Sequence, residues 1–150
     1  MKVIQTTGKR KTSVARATLK QGKGIVRVNS VLLDNYNNVF ARTRLMEPLI
    51  IAGEVSKKVD INVNVNGGGW HSQAEASRLA VAKALAEFDK KLRKVYLDYD
   101  RHLLIADIRR KEQRKPNDSK ARKSRQTSYR WLLLLLIRNN NSKDLYTSSI

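Results

Sequence analysis

The sequence predicts one small body of strands and helices followed by a long basic arm. Three observations carry this. Val59, Ile61, Val63 and Val65 alternate with Asp60, Asn62, Asn64 and Asn66, the period-two pattern of a strand with one face buried and one face wet. That strand runs into Gly67-Gly68-Gly69, where residues without Cβ atoms let the backbone take positive φ and turn tightly, and then into helical spacing. The formal net charge is +18 over 150 residues, and much of the excess falls after Asp107.

Taken in order, Lys2 to Thr7 reads as a first strand. Ala15, Ala17 and Leu19 alternate with Arg16, Thr18 and Lys20 in a second, whose wet face is cationic. Gln21-Gly22-Lys23-Gly24 reads as a hairpin loop leading to a third strand around Val26 and Val28. Asp34 to Val39 is polar and takes no assignment. Arg42 to Ile51 reads as a short helix restricted by Pro48 and ended by Gly53; Arg42 and Arg44 suit RNA or water equally. Ser72-Gln73-Ala74-Glu75 fits a capping box, and Ser77, Val81, Ala84, Leu85 and Phe88 recur behind it as a buried stripe. Leu92 to Tyr99 continues as a helix with Leu92, Val95, Tyr96 and Tyr99 inward. Leu103 to Ala106 is an apolar run expected to form a last buried strand.

The charge narrows the function. Like charges repel in a compact state, so such an excess does not help folding; it favours a polyanionic partner, nucleic acid first. There is no cysteine, which excludes disulfides, thiolate metal sites and cysteine nucleophiles. The N-terminus carries no apolar signal region, and a cytoplasmic location is expected. From Arg109 to Arg130 ten Lys or Arg stand against Glu112 and Asp118, with almost no aliphatic residues. That segment cannot bury enough apolar surface to offset its ordering entropy, so alone it is expected to be extended and to order on phosphates. Its cations Arg109, Arg110, Lys111, Arg114, Lys115, Lys120, Arg122, Lys123 and Arg125 are candidate RNA contacts.

A second basic motif, Gly8-Lys9-Arg10-Lys11-Thr12-Ser13, sets three cations beside two hydroxyls, a mixture that suits phosphate contacts and equally a solvated turn. Gly67 to Gly69 let a backbone approach a phosphate, or simply allow the turn. Trp70 could stack on a base or cover that turn. A strand, a glycine triplet and a helix start also form an anion cradle of the kind small-molecule kinases use. Phosphoryl transfer needs metal-binding carboxylates as well. Asp60 has no second acid placed to share a metal, and His71 and His102 are few and scattered. No catalytic residue, metal or cofactor is expected.

Several of these motifs resemble a known family. Gly67-Gly68-Gly69, Ser72-Gln73, Ala76, Ala80 and Ala82-Lys83-Ala84-Leu85 resemble the signature of protein nine of the small ribosomal subunit, and Gly8 to Ala17 is similar to that family's N-terminal motif. Leu45-Met46-Glu47-Pro48, Tyr99-Asp100-Arg101 and Ser128-Tyr129-Arg130 look like its archaeal and eukaryotic branch. The resemblance covers Met1 to Arg130. It implies an α+β fold, a four-stranded mixed sheet with helices on one face and a left-handed crossover, as in the second domain of ribosomal S-five. It implies a globular core over residues 1–107, an extended RNA-binding tail over 108–130 and an atypical extension over 131–150.

The implied role is a structural constituent of the small-subunit head. The implied partners are small-subunit rRNA, peptidyl-site tRNA and neighbouring ribosomal proteins, with no membrane. By position, Lys9, Arg10, Lys11, Thr12, Ser13, Arg16, Gly67, Gly68, Gly69 and Gln73 join the tail cations as rRNA-binding candidates, and Ser128, Tyr129 and Arg130 are the tRNA candidates. Ile108 stands where the family has proline, and Pro116-Asn117-Asp118-Ser119 replaces a glycine-rich link. Beyond the family's usual Tyr-Arg stop, Trp131 to Ile137 is far shorter than the roughly 20 apolar residues of a membrane span. With basic residues ahead of it, it could graze a membrane surface or a hydrophobic partner groove; the preferred reading is translation past that stop or a gene-model error. The alternative function is a non-ribosomal, sequence-tolerant nucleic-acid binder.

Overall fold

The computed structural model describes residues 3–116 and 120–123. The chain divides into one unit over Met1–Lys111 and a second over Glu112–Ile150. The alternating valines form a central strand, β5 (Val59–Asn66), of a mixed sheet. The other strands are β1 (Ile4–Arg10), β2 (Ser13–Gln21), β3 (Val26–Val28) and β4 (Val31–Leu32), in the order β1-β2-β5-β3-β4. β2 runs antiparallel to β5 along its whole length, from Val14 opposite Asn66 to Gln21 opposite Val59, while β3 pairs β5 in parallel. The α+β architecture is the expected one; the two-residue β4 at the edge brings the strands to five.

β2 and β3 are not a hairpin. β5 lies between them, because the Gln21 to Gly24 turn is hydrogen-bonded to β5 and not closed on itself. The Asp60 carboxylate accepts from the amides of Lys23 (2.8 Å) and Ile25 (2.9 Å), and Gly22 N donates to Lys58 O (3.0 Å). Those two amide bonds hold the Asp60 pKa below the usual carboxylate range. Asn29, at φ 47°, prolongs the parallel pairing with its side chain, donating to Val65 O (3.1 Å) and accepting from Val65 N (2.8 Å).

Three helices, α1 (Val39–Ala52), α2 (Trp70–Phe88) and α3 (Leu92–Tyr99), cover one face of the sheet; α2 lies on β1, β2 and β5, and α1 and α3 pack against it. Alanine-rich α2 buries Ala74, Ala76, Ala80, Ala82, Ala84 and Leu85 among others, joining strong helix propensity to close backbone approach. Thr6 Oγ1 donates to Ala80 O (2.7 Å) across the contact. α1 starts at Asn38, whose side chain accepts from the amides of Phe40 (3.0 Å) and Ala41 (3.3 Å), and stops at Gly53 with φ 53°. Pro48 lies inside it, and the buried Tyr96 hydroxyl donates to Pro48 O (2.8 Å); burial pushes that hydroxyl's pKa up.

Four further expectations need correction. The helix after the glycine turn begins at Trp70, so Gly69 is its cap and Ser72 its third residue. Ser72 Oγ receives the Gly69 amide (3.2 Å) and donates to Gly69 O (2.9 Å), in place of a bond to Glu75. Phe88, Val95 and Tyr99 are exposed, not inward, while Ser77, Val81, Ala84, Leu85, Leu92 and Tyr96 are buried as expected. Leu103 to Ala106 is not a strand. Asp100 caps a 3₁₀ turn over Arg101–Leu103, its side chain accepting from His102 N (2.8 Å), and this curls the backbone so that Leu103 enters the core and Ile105 faces water. β1 also runs on to Arg10, which puts Gly8, Lys9 and Arg10 in a strand and leaves Lys11 and Thr12 as the turn.

Candidate nucleic-acid interface

The Lys11-Thr12 turn and the Gly67 to Gly69 turn meet, because β2 pairs β5 in register up to Asn66 opposite Val14. Ser13 Oγ, fully buried, donates to Gly67 O (2.7 Å) and lies 2.8 Å from Ser72 Oγ. Gln73 Nε2 donates to the same carbonyl (3.2 Å). A Cβ on Gly68 would stand 2.2 Å from Ser13 Oγ, and one on Gly67 2.8 Å from Thr12 O; both residues also have positive φ, at 69° and 77°. Glycine is therefore required here by both conformation and space. Ser13 ties the two turns together through Gly67 O and Ser72, while Ser72 and Gln73 brace the glycine turn from α2.

What this junction presents outward is different. Lys9, Lys11 and Thr12 are exposed beside it, and Arg16 is exposed on the sheet face away from the helices. That face is polar across three strands: Arg16 opposes Asn64, Thr18 opposes Asn62, and Asn62 opposes Arg27. Arg27, Asn62 and Asn64 were not singled out by sequence. Each lies on the wet side of a recognisable alternation, but their adjacency depends on β5 lying between β2 and β3.

On the helical side, a recess of about 230 Å³ is lined by Lys9, Arg10, Arg44, His71, His102 and Arg109 among others. Arg10 pairs with Asp107. Arg109 also closes on Asp107, with Nε at 2.9 Å and Nη2 at 2.7 Å from Oδ2. The Arg109 side chain and amide, with the Arg10 charge, hold Asp107 well below the usual carboxylate range. Arg110, Lys111, Arg114 and Lys115 are exposed. In the second unit, to which Arg114 and Lys115 also belong, Lys120 and Lys123 are exposed and Arg122 pairs with Glu112. Arg125, Ser128, Tyr129 and Arg130, and the extension 131–150, lie outside the described residues.

Behind the recess is a charge cluster that sequence reading missed. Arg78, 3% exposed in the middle of α2, lies between Glu47 of α1 (Nε to Oε2, 2.7 Å), Asp100 (Nη2 to Oδ2, 2.8 Å) and Glu75 (3.6 Å). The Glu47 contact falls short of a hydrogen bond and is a charge–charge contact. Burial opposes the Arg78 charge, yet the three carboxylates outweigh it and raise its pKa. A cation inside an alanine-rich helix is the signal that could have pointed to it.

The arrangement presents cations around a rigid two-turn junction with its inner hydroxyls already used, which suits an extended polyanion. A family model described as Ribosomal protein S9/S16 matches residues 8–130. The chain belongs to this family. It is 46% identical over 132 residues to the small ribosomal subunit protein uS9 of Methanothrix thermoacetophila, covering 87% of this chain and 100% of that protein. The uS9 proteins of two Methanococcus maripaludis strains are likewise 46% identical over 134 residues, with the same coverage. Membership makes this chain a ribosomal structural protein, a role in translation within a ribonucleoprotein, and the non-ribosomal alternative gives way to it. Residues 131–150 fall outside the family match. Among the described residues no helix is long and apolar enough to cross a membrane.

Proposed function

We propose that this protein is a structural component of the small ribosomal subunit in the cytoplasm, holding folded rRNA of the head with the two-turn junction and the basic segment after Asp107. The observation that carries this is the placement of Lys9, Lys11, Thr12 and Arg16 outward around a junction whose Ser13, Gly67 and Ser72 groups are bonded inward. In this reading Ser13, Gly67, Gly68, Gly69 and Gln73 shape the contact and the cations make it. Arg109 to Arg125 extend it along the phosphates, releasing counterions, so affinity falls with salt. RNA shape, more than base edges, supplies specificity. Ser128, Tyr129 and Arg130 reach the peptidyl-site tRNA, and neighbouring head proteins complete the environment. No catalytic, metal or cofactor role is assigned.

The test is the salt dependence of rRNA binding. Neutralising Arg110, Lys111 and Lys115 together should flatten the slope of log affinity against log salt by about one for each phosphate no longer neutralised. An unchanged slope removes these residues from the interface.

A further inference from the structure

Phe40 and Trp70 are large aromatic side chains left in water, 76% and 51% exposed, on different helices. Isolated exposed apolar residues are ordinary, but these two line one cleft of about 220 Å³ with His71, Thr43 and Arg44. Trp70 is the first residue of α2 and Phe40 lies two past the Asn38 cap of α1. The caps that start the helices therefore also set where the rings stand. The Trp70 and His71 ring centroids are 5.6 Å apart with the planes tilted by 47°, so these neighbours do not stack flat on one another.

The cleft adjoins the basic recess: Arg44, His71 and Glu75 line both. Glu75 is the carboxylate on the shared wall, and Arg44 at 3.8 Å and Arg78 at 3.6 Å offset its charge. A strand of nucleic acid following Lys9 along this recess, where Arg10 and Arg109 cover the Asp107 carboxylate, would thus meet exposed aromatic rings beside a guanidinium. Aromatic faces accept unstacked bases of any identity, while nearby cations meet the phosphates. Thr43, Arg44 and His71 on the walls offer hydrogen-bond partners to base edges and sugar.

We propose that the Phe40–Trp70 cleft receives one unstacked base of a single-stranded RNA segment, its flanking phosphates meeting Arg44 and the cations of the adjoining recess. This rests on the RNA-binding role proposed for the chain and adds a base-stacking site to it.

The test uses the full chain carrying Trp131→Phe, which leaves Trp70 as the lone tryptophan of two. Its emission and affinity are followed with oligouridylate and with an abasic oligomer of equal length and charge. The base-bearing oligomer should quench Trp70 and bind about tenfold more tightly than the abasic one. In the Trp131→Phe background, affinity can be read by anisotropy of labelled oligomers for the double variant Phe40→Ala, Trp70→Ala. That variant should bind both oligomers alike and keep the parent's salt slope and circular dichroism. Equal affinity of the parent for both oligomers overturns the stacking site while leaving the electrostatic role intact. Unchanged preference in the folded double variant does the same. Failure of both oligomers and of rRNA to bind at physiological salt overturns the RNA-binding role, and this inference with it. An apolar peptide that quenches Trp70 where oligouridylate does not would assign the cleft to a protein partner and overturn the proposal.

Discussion

Gly8 shows how a residue's reason can lie far along the chain. Read locally, it is the glycine before a run of cations. In the fold it lies under α2, where a Cβ would stand 2.1 Å from Ala76 O and 2.8 Å from Ala80 N. Both obstacles are backbone, so no rotamer change relieves them. Gly8→Ala should therefore lift α2 from β1 and cost roughly 3 kcal/mol, the upper end of overpacking penalties, read as a lower urea midpoint. A variant as stable as the parent would mean that β1 and α2 do not touch in this way. Ser13 makes the same point: its hydroxyl resembles a phosphate donor in sequence, yet it is fully buried and donates to Gly67 O. Local pattern identifies a residue type suited to a contact, but not which contact it makes.

At the scale of elements, Arg78 joins α1, α2 and the turn after α3 through Glu47, Glu75 and Asp100. Arg78→Met should cost about 3–5 kcal/mol, because it leaves partly buried carboxylates without their cation; chemical unfolding measures it, and a loss below about 1 kcal/mol would show that solvent already carries those charges. Burial works against the Asp100 charge, but the His102 amide and Arg78 outweigh it and depress its pKa. A depressed folded pKa contributes stability that is present above the unfolded value, near 3.9, and is lost as pH falls through the folded one. Stability should accordingly decline below about pH 4, and Asp100→Asn should flatten that acid limb. The elements themselves were largely legible: the β5 alternation, the β2 alternation, the Gly53 stop and the α3 span all stand. The Leu103 to Ala106 run misled because an apolar tetrapeptide has no period, and the Asp100 cap decided its backbone.

For the whole molecule, the dominant quantity is the charge of +18, which favours a polyanionic partner. The family match ends at Arg130, and the tRNA contact proposed for that residue belongs to the assembled particle. In reconstituted small subunits, chains ending at Thr127 should assemble normally and retain peptidyl-site tRNA less well than chains ending at Arg130. Equal retention would remove the contact. The comparison separates Ser128 to Arg130 from the twenty residues after them, since neither chain carries the extension.

Alternation, glycine placement and charge, all properties of residues near one another in the chain, determined from sequence alone that strands and helices form a small basic body, whose charge favours an anionic partner. Tertiary structure decided which strands are neighbours, that β5 separates β2 from β3, that Ser13 and Arg78 are turned inward, and that Phe40 and Trp70 share a cleft. The physical reason is that periodicity reports which face of an element is buried, whereas partners across the core are chosen by packing and hydrogen bonds between segments distant in sequence.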